Sequence, residues 1–196
     1  MTGSGVVYAR RVGDRELTFD FASGLLNDNL LIADRETGSL WSQLDGRAID
    51  GPLADTPLSV IPALQTTWAH WKELHPDTRV MVVQGEEGHP YFYRTWQPGS
   101  PRPGSRPTAH DTRRLGLGLV IGDESMYFPF AELQRAADPV SIRLGGQDLV
   151  IRYRREALTA WAEDPQGHLL PGVLAYRFGW MRFHPESRIF HAGGNR

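Results

Sequence analysis

Residues 60–80, VIPALQTTWAHWKELHPDTRV, return after a shift of 109 residues as LLPGVLAYRFGWMRFHPESRI at 169–189. Pro62 meets Pro171, Trp71 meets Trp180, His75-Pro76 meets His184-Pro185, and Arg79 meets Arg188. Asp77-Thr78 against Glu186-Ser187, Leu74 against Phe183 and Val80 against Ile189 keep the same chemistry in the same register. Each copy reads as a helix that buries a tryptophan, stops at His-Pro because proline biases its predecessor out of the α region, turns through an acidic-hydroxyl pair and enters a strand. Two such units imply an internally duplicated, pseudo-symmetric core.

Between and around the copies the chain alternates short apolar runs with turn signals, which predicts β-hairpins. Val6 to Phe19 reads as strand, tight turn at Gly13-Asp14, strand. Leu30-Leu31-Ile32 and Leu40 to Leu44 form a second pair around a polar loop closed by Gly38. Arg47 to Leu58 adds short extended pieces. A helix over Thr67 to Leu74, capped by Thr66 or Thr67, leads to a buried strand at Arg79 to Val83. Leu115 to Ile121 and Ser125 to Phe128 flank a Gly122-Asp123 turn, and Pro129 precedes a short helix over Phe130 to Ala137. Ser141 to Leu144 and Asp148 to Tyr153 flank Gly145-Gly146, whose two positions suit the positive φ values of a type I′ turn. Thr159 to Ala162 reads as a further strand, before a second helix and a last strand.

The expected fold class is therefore α+β: mostly antiparallel hairpins with a few short helices. Residues 1–83 and 115–196 form two halves of one compact domain, joined by a Pro/Gly-rich linker or long loop at 84–114. The aromatics Tyr91, Phe92, Tyr93 and Trp96 argue that part of that loop lies against the domain surface. With 40% hydrophobic and 10% aromatic residues, the chain has enough apolar material for such a core.

A formal charge of −2 gives no positive field for nucleic acid or an acidic membrane. Of the 21 basic residues only Lys72 is lysine, expected on an exposed helix flank. No cysteine is present, which removes disulfides, thiolate ligands and cysteine nucleophiles. No apolar run approaches the ~18 residues of a membrane span, and MTGSGVVYARRVGDRE lacks the pattern of a signal peptide, so the chain reads as soluble.

Catalytic signatures are few. There is no G-x-S-x-G elbow, Walker loop or H-E-x-x-H, and Gly116, Gly118 and Gly122 fall within a predicted strand and turn, not a dinucleotide fingerprint. The densest polar stretch is Asp34, Arg35, Glu36, Thr37, Ser39, Trp41 and Gln43, followed by Arg47. Asp34 or Glu36 as general base with Arg47 as electrostatic partner is one reading; carboxylates satisfying a hairpin loop around a core Trp41 is the other. His75 and His184 are the metal candidates, facing each other across the pseudo-axis, or else capping their helix C-termini. Trp41, Gln43, Trp68 and Trp96 are the candidate binding residues. No cofactor is implied.

The strings DRETGSLWSQLDGRAIDGPL, TTWAHWKELHPDT and FGWMRFHPESRIF together resemble the bacterial and archaeal family catalogued as domain of unknown function 3179. That resemblance implies no established activity. It implies that fuller members carry an upstream copy of the GDESMYFPFAEL unit leading into a Cys-Pro motif, and that many are exported, so an extracytoplasmic home follows if a leader was lost. If that upstream segment pairs with Val6 to Val12, the strand is an exposed edge here, prone to self-association. Two readings of function are carried forward: a non-catalytic module that binds a small molecule or protein partner, and a hydrolase-like or metal-assisted enzyme using the Asp34–Glu36 loop and the paired histidines.

Overall fold

A computed structural model describes residues 4–80 and 115–193. The predicted strand Arg79–Val83 falls partly outside these residues, and the 84–114 segment with Trp96 falls wholly outside.

The first half begins with a two-residue ribbon, β1 (Arg11–Val12) on β2 (Arg15–Glu16), turning at Gly13-Asp14. An antiparallel sheet follows in the order β3 (Phe19–Leu26), β4 (Asn29–Asp34), β5 (Leu40–Ser42), β6 (Ala48–Asp50). The β3–β4 hairpin turns through Asn27 and Asp28, both at positive φ (52° and 62°), a conformation these two residue types tolerate through local side-chain bonding. Leu17, Trp41, Ala48 and Leu58 pack into one apolar cluster. Upstream of this sheet, Val7–Ala9 lies along Ser59–Ile61, with Ala9 N–H donating to Ser59 O at 2.8 Å and Ile61 N–H to Val7 O at 2.8 Å. The edge expected at Val6 to Val12 thus takes a partner on one side from within the chain.

In the second half, β7 (Leu115–Ile121) and β8 (Glu124–Pro129) form the central hairpin of a four-stranded sheet. On one flank β12 (Val173–Tyr176) runs antiparallel to β7; on the other β13 (Arg188–Ile189) runs parallel to β8. A three-stranded antiparallel sheet, β9 (Val140–Leu144), β10 (Gln147–Arg154) and β11 (Thr159–Glu163), contributes the facing layer. Leu117, Leu119, Phe128, Phe130, Leu144, Leu149 and Ile151 fill the main core. Gly145 and Gly146 adopt φ of 55° and 76°, as the β9–β10 turn requires.

Among the described residues there are three short helices: α1 (Trp68–Leu74), α2 (Phe130–Leu133) and α3 (Arg177–Phe183). Thr67 caps α1, accepting from His70 N–H at 3.4 Å. Helix α2 is shorter than the Phe130 to Ala137 expectation. The chain must leave the α region before Pro139, and it does so through turns after Leu133. Arg79 and Val80, expected in a buried strand, are exposed and belong to none, because no described strand lies beside them to pair. The α+β class, dominated by antiparallel sheet, stands as read. Among the described residues no helix is long and apolar enough to cross a membrane.

The segments at 60–80 and 169–189 share their local geometry closely. His75 ends α1 at φ −134°, ψ 72°, and His184 ends α3 at φ −128°, ψ 67°. Each donates its backbone N–H to the tryptophan carbonyl four residues earlier, at 2.8 Å and 2.9 Å. The indole N–H of Trp71 donates to Thr78 Oγ1 at 2.9 Å, and that of Trp180 to Ser187 Oγ at 2.8 Å. Each histidine ring lies over its tryptophan, at centroid separations of 4.2 Å and 4.0 Å. The histidines therefore close their helices through backbone N–H groups and ring contact with the indole. Burial is where the segments part: Trp180 is 1% exposed, while Trp71 is only half-buried.

A cleft at the seam as candidate functional site

The seam between residues 4–80 and residues 115–193 is apolar beneath: Leu44 packs with Tyr127, Val173, Ala175 and Trp180, and Val6 leans against the same cluster. Above it opens a cleft of about 410 Å³. One wall is the Asp45-Gly46-Arg47 turn between β5 and β6; the other is Trp180 and His184 of the α3 end, with Val120 and Val173 among the floor residues.

The turn is held in place from below and behind. Gly46 sits at φ +65°, and a Cβ there would stand 2.4 Å from the Tyr8 ring, so only glycine allows that ring to lie against the turn. The Tyr8 hydroxyl donates to the carbonyls of Gln43 and Leu44 at 3.0 and 3.1 Å. Leu58 N–H donates to Gly46 O at 2.7 Å, Gly46 N–H to Ser42 O at 2.8 Å, and Arg47 to the Asp55 carbonyl. Asp45 and Arg47 are exposed at the mouth.

Burial pushes the Tyr8 phenol well above its ordinary range, and the charge of Asp45 pushes it further, so it remains a protonated donor. Burial pulls the His184 imidazole below the ordinary histidine range, with Asp45 opposing in part. A neutral imidazole carries one donor and one acceptor nitrogen, so the cleft offers a carboxylate, a guanidinium and an imidazole above an apolar floor. That combination suits a small molecule with a polar head and an apolar body.

Of the residues read from sequence as site candidates, Arg47 and His184 meet in this cleft. The others go elsewhere. Asp34 is 2% exposed and accepts from Thr37 N–H at 2.6 Å, Thr37 Oγ1 at 2.8 Å and the Trp41 indole at 2.9 Å. Burial would raise its carboxyl, but the donations from Trp41, Thr37 and Ser39 outweigh it and hold the group below the usual carboxylate range. Glu36 reaches the residue just before β3, accepting from Thr18 N–H at 2.8 Å, which lowers its carboxyl. Trp41 is wholly buried beneath the first sheet and shows no face to a ligand. Gln43 is half-buried beside Ser4, whose hydroxyl lies 3.4 Å from its side-chain oxygen. Trp68 is 52% exposed and lies outside the cleft lining, as does the exposed His75. Trp96 lies outside the described residues. Among the described residues no three His, Asp or Glu side chains gather to hold a metal ion.

Tyr8 and Asp45 escaped sequence reasoning. Asp45-Gly46 is a turn dipeptide and was a legible signal for a wall; Tyr8, far away in sequence, gave none.

A second cleft of about 360 Å³ opens on the other side of the Val7–Ala9 strap, between Val6, Leu64 and Trp161, and shares Gly172 with the first. Neither a curated protein nor a solved structure matches the chain. A family model does, over residues 1–187, and it is described as protein of unknown function, DUF3179. The chain belongs to that family, whose LWSQLDGRA and FGWMRFHPESR segments here supply the two walls of the seam cleft.

Proposed function

We propose that this chain is a non-catalytic binding module whose seam cleft takes a small organic molecule. The polar head lies between Asp45, Arg47 and His184, and the apolar body rests on Val60, Val120 and Val173. One observation carries the reading: a carboxylate and a guanidinium from one turn and an imidazole from the far end of α3 line one apolar-floored opening. Ligand-observed NMR against a library of small amphiphilic acids, amines and amides tests it. Hits should bind the wild-type chain and weaken about tenfold, roughly 1.4 kcal/mol, on His184→Ala or Arg47→Ala with the circular dichroism spectrum unchanged. Hits that bind both variants as tightly as wild type would remove the cleft from consideration.

The enzymatic reading retains one supporting observation, the neutral His184 beside the carboxylate Asp45, an arrangement suited to a general base. Asp34 and Glu36 lend it nothing, since their oxygens are engaged in holding the β4–β5 loop. Hydrolysis of a bound ester hit, lost in His184→Ala, would favour that reading over simple binding.

The shared geometry of residues 60–80 and 169–189 supports their origin as an internal duplication, and hence the division into halves at 1–83 and 115–196 around the 84–114 segment.

A further inference from the structure

The seam cleft and the second cleft lie on opposite faces of the same two strands. Val173 of β12 and its β7 partner Gly118 line the first; the next pair, Leu174 and Leu117, lines the second. Successive residues of a strand face opposite ways, so the sheet itself divides the two openings. β12 is the outer strand of that sheet, and Gly172, the residue just before it, lines both clefts. No side chain stands at that sill. The backbone there also lies close on the core, since a Cβ on Gly172 would stand 2.8 Å from Leu117 Cδ1 and 2.9 Å from Leu119 Cδ2.

The chemistry of the two clefts is segregated. Asp45, Arg47 and His184 line the first, whereas among the described residues the second has no charged side chain in its lining. Its polar groups are few: Ser4 Oγ accepts from Asn29 Nδ2 at 3.2 Å, the Trp161 indole N–H donates to Glu163 at 2.7 Å, and Gln65 is exposed. What remains is hydrocarbon, from Val6, Val7, Leu64, Leu170 and Leu174. The ground between is apolar too. Val60 of the first cleft and Val7 of the second sit on neighbouring positions of the strap pair, 36% and 47% exposed. At about 410 and 360 Å³ each opening is near the lower limit of ligand pockets, roughly 300–1,000 Å³, and the two together suit one elongated molecule.

We propose that the ligand of the seam cleft is a single-chain zwitterionic amphiphile whose tail passes Gly172 and ends in the second cleft. The inference rests on the seam cleft being a ligand site and adds the class of molecule. Asp45 and Arg47 flank Gly46 on one turn, so a head carrying both signs pairs its cation with the carboxylate and its anion with the guanidinium. His184, on the opposite wall, adds a hydrogen bond to the head. The tail bends round the outer edge of β12, which a flexible polymethylene chain can do and a rigid ring system cannot. Burial of the tail in the second cleft supplies the affinity that pairing at an exposed turn lacks.

The probe is a series of unbranched α-amino acids, from norleucine to α-aminododecanoic acid, titrated as monomers into the full ¹⁵N-labelled chain. Affinity should rise about fourfold with each added methylene, the gain expected for moving that group out of water. Ala63→Trp changes an exposed residue of the second cleft's lining. It should leave norleucine binding as in wild type and weaken the dodecanoic homologue at least about tenfold. Failure of every homologue to bind, an affinity that does not grow with chain length, or equal binding of the long homologue by wild type and Ala63→Trp overturns the proposal and leaves the seam cleft as a site for other small molecules. Homologues that bind Arg47→Ala and His184→Ala as tightly as wild type overturn it together with the seam-cleft reading. Phosphatidylcholine vesicles that pellet wild type but not Ala63→Trp support it with a membrane lipid as the source. Vesicles that pellet neither, with the homologues still bound, support it with a free amphiphile.

Discussion

In the segment ending at His184, the indole of Trp180 is sealed between the α3 turn and the β7–β8 hairpin; in the segment ending at His75, the indole of Trp71 makes the same hydrogen bond and stays half-buried. Helix length, cap angles, the indole–hydroxyl bond and the histidine–tryptophan contact agree between the two. Local geometry in these units is thus set by about twenty consecutive residues, whereas burial is set by what lies across from them. Equal sequence guarantees the first and not the second. The energetic consequence is large, since full burial of an aromatic side chain contributes on the order of 3 kcal/mol.

The strongest way to break the comparison is to delete both tryptophans in turn. Trp180→Ala should cost about 4 kcal/mol in urea unfolding, as expected for an aromatic removed from a packed interior, while Trp71→Ala should cost about 1 kcal/mol. Equal losses would mean that the two indoles are equally enclosed in solution. A finer cut removes only the hydroxyl partner. Ser187→Ala should cost about 2 kcal/mol, because the buried Trp180 N–H is left without an acceptor, and Thr78→Ala less than about 1 kcal/mol, because water reaches the Trp71 N–H.

The smallest effect is electrostatic and belongs to His184. Its folded-state pKa lies below the ordinary value of about 6.5, so the unfolded chain binds the proton more readily. Its contribution to stability is therefore fully present above about pH 6.5 and is lost as pH falls through the folded pKa. Urea midpoints measured between pH 5 and 8 should fall less steeply toward acid in His184→Asn than in wild type. Identical slopes would show that the imidazole is solvated.

Much of this architecture was legible in the chain before any coordinates. Leu115–Ile121 alternates around small residues and is β7, residue for residue; Gly145-Gly146 announced its turn; Thr67 and His75-Pro76 bracketed α1. Strand β3 was overlooked because Asn27-Asp28 lacks the glycine that usually marks a type I′ turn, although both residues tolerate positive φ. Arg79 and Val80 misled for the opposite reason: their pattern matches β13, but a strand needs a neighbour, and that neighbour is a matter of tertiary structure. The candidate site was legible in part. Arg47 and His184 drew notice singly, yet nothing in their spacing joined them, since the seam that brings them together is made by side chains such as Leu44 and Val173 packing across the halves. Asp34 and Glu36 drew notice as a cluster and turned out to serve the loop that contains them.

The Val7–Ala9 strap has a mechanical consequence. Its hydrogen bonds to Ser59–Ile61 stand side by side across an antiparallel pair. A force that peels Val7–Ala9 away from Ser59–Ile61 loads them one after another, like the teeth of a zip, instead of all at once. Tyr8 is in that strap, and its hydroxyl anchors the turn that walls the cleft. Peeling the Val7–Ala9 strap away would therefore pull on the wall of the cleft directly, making the strap a ripcord for the site.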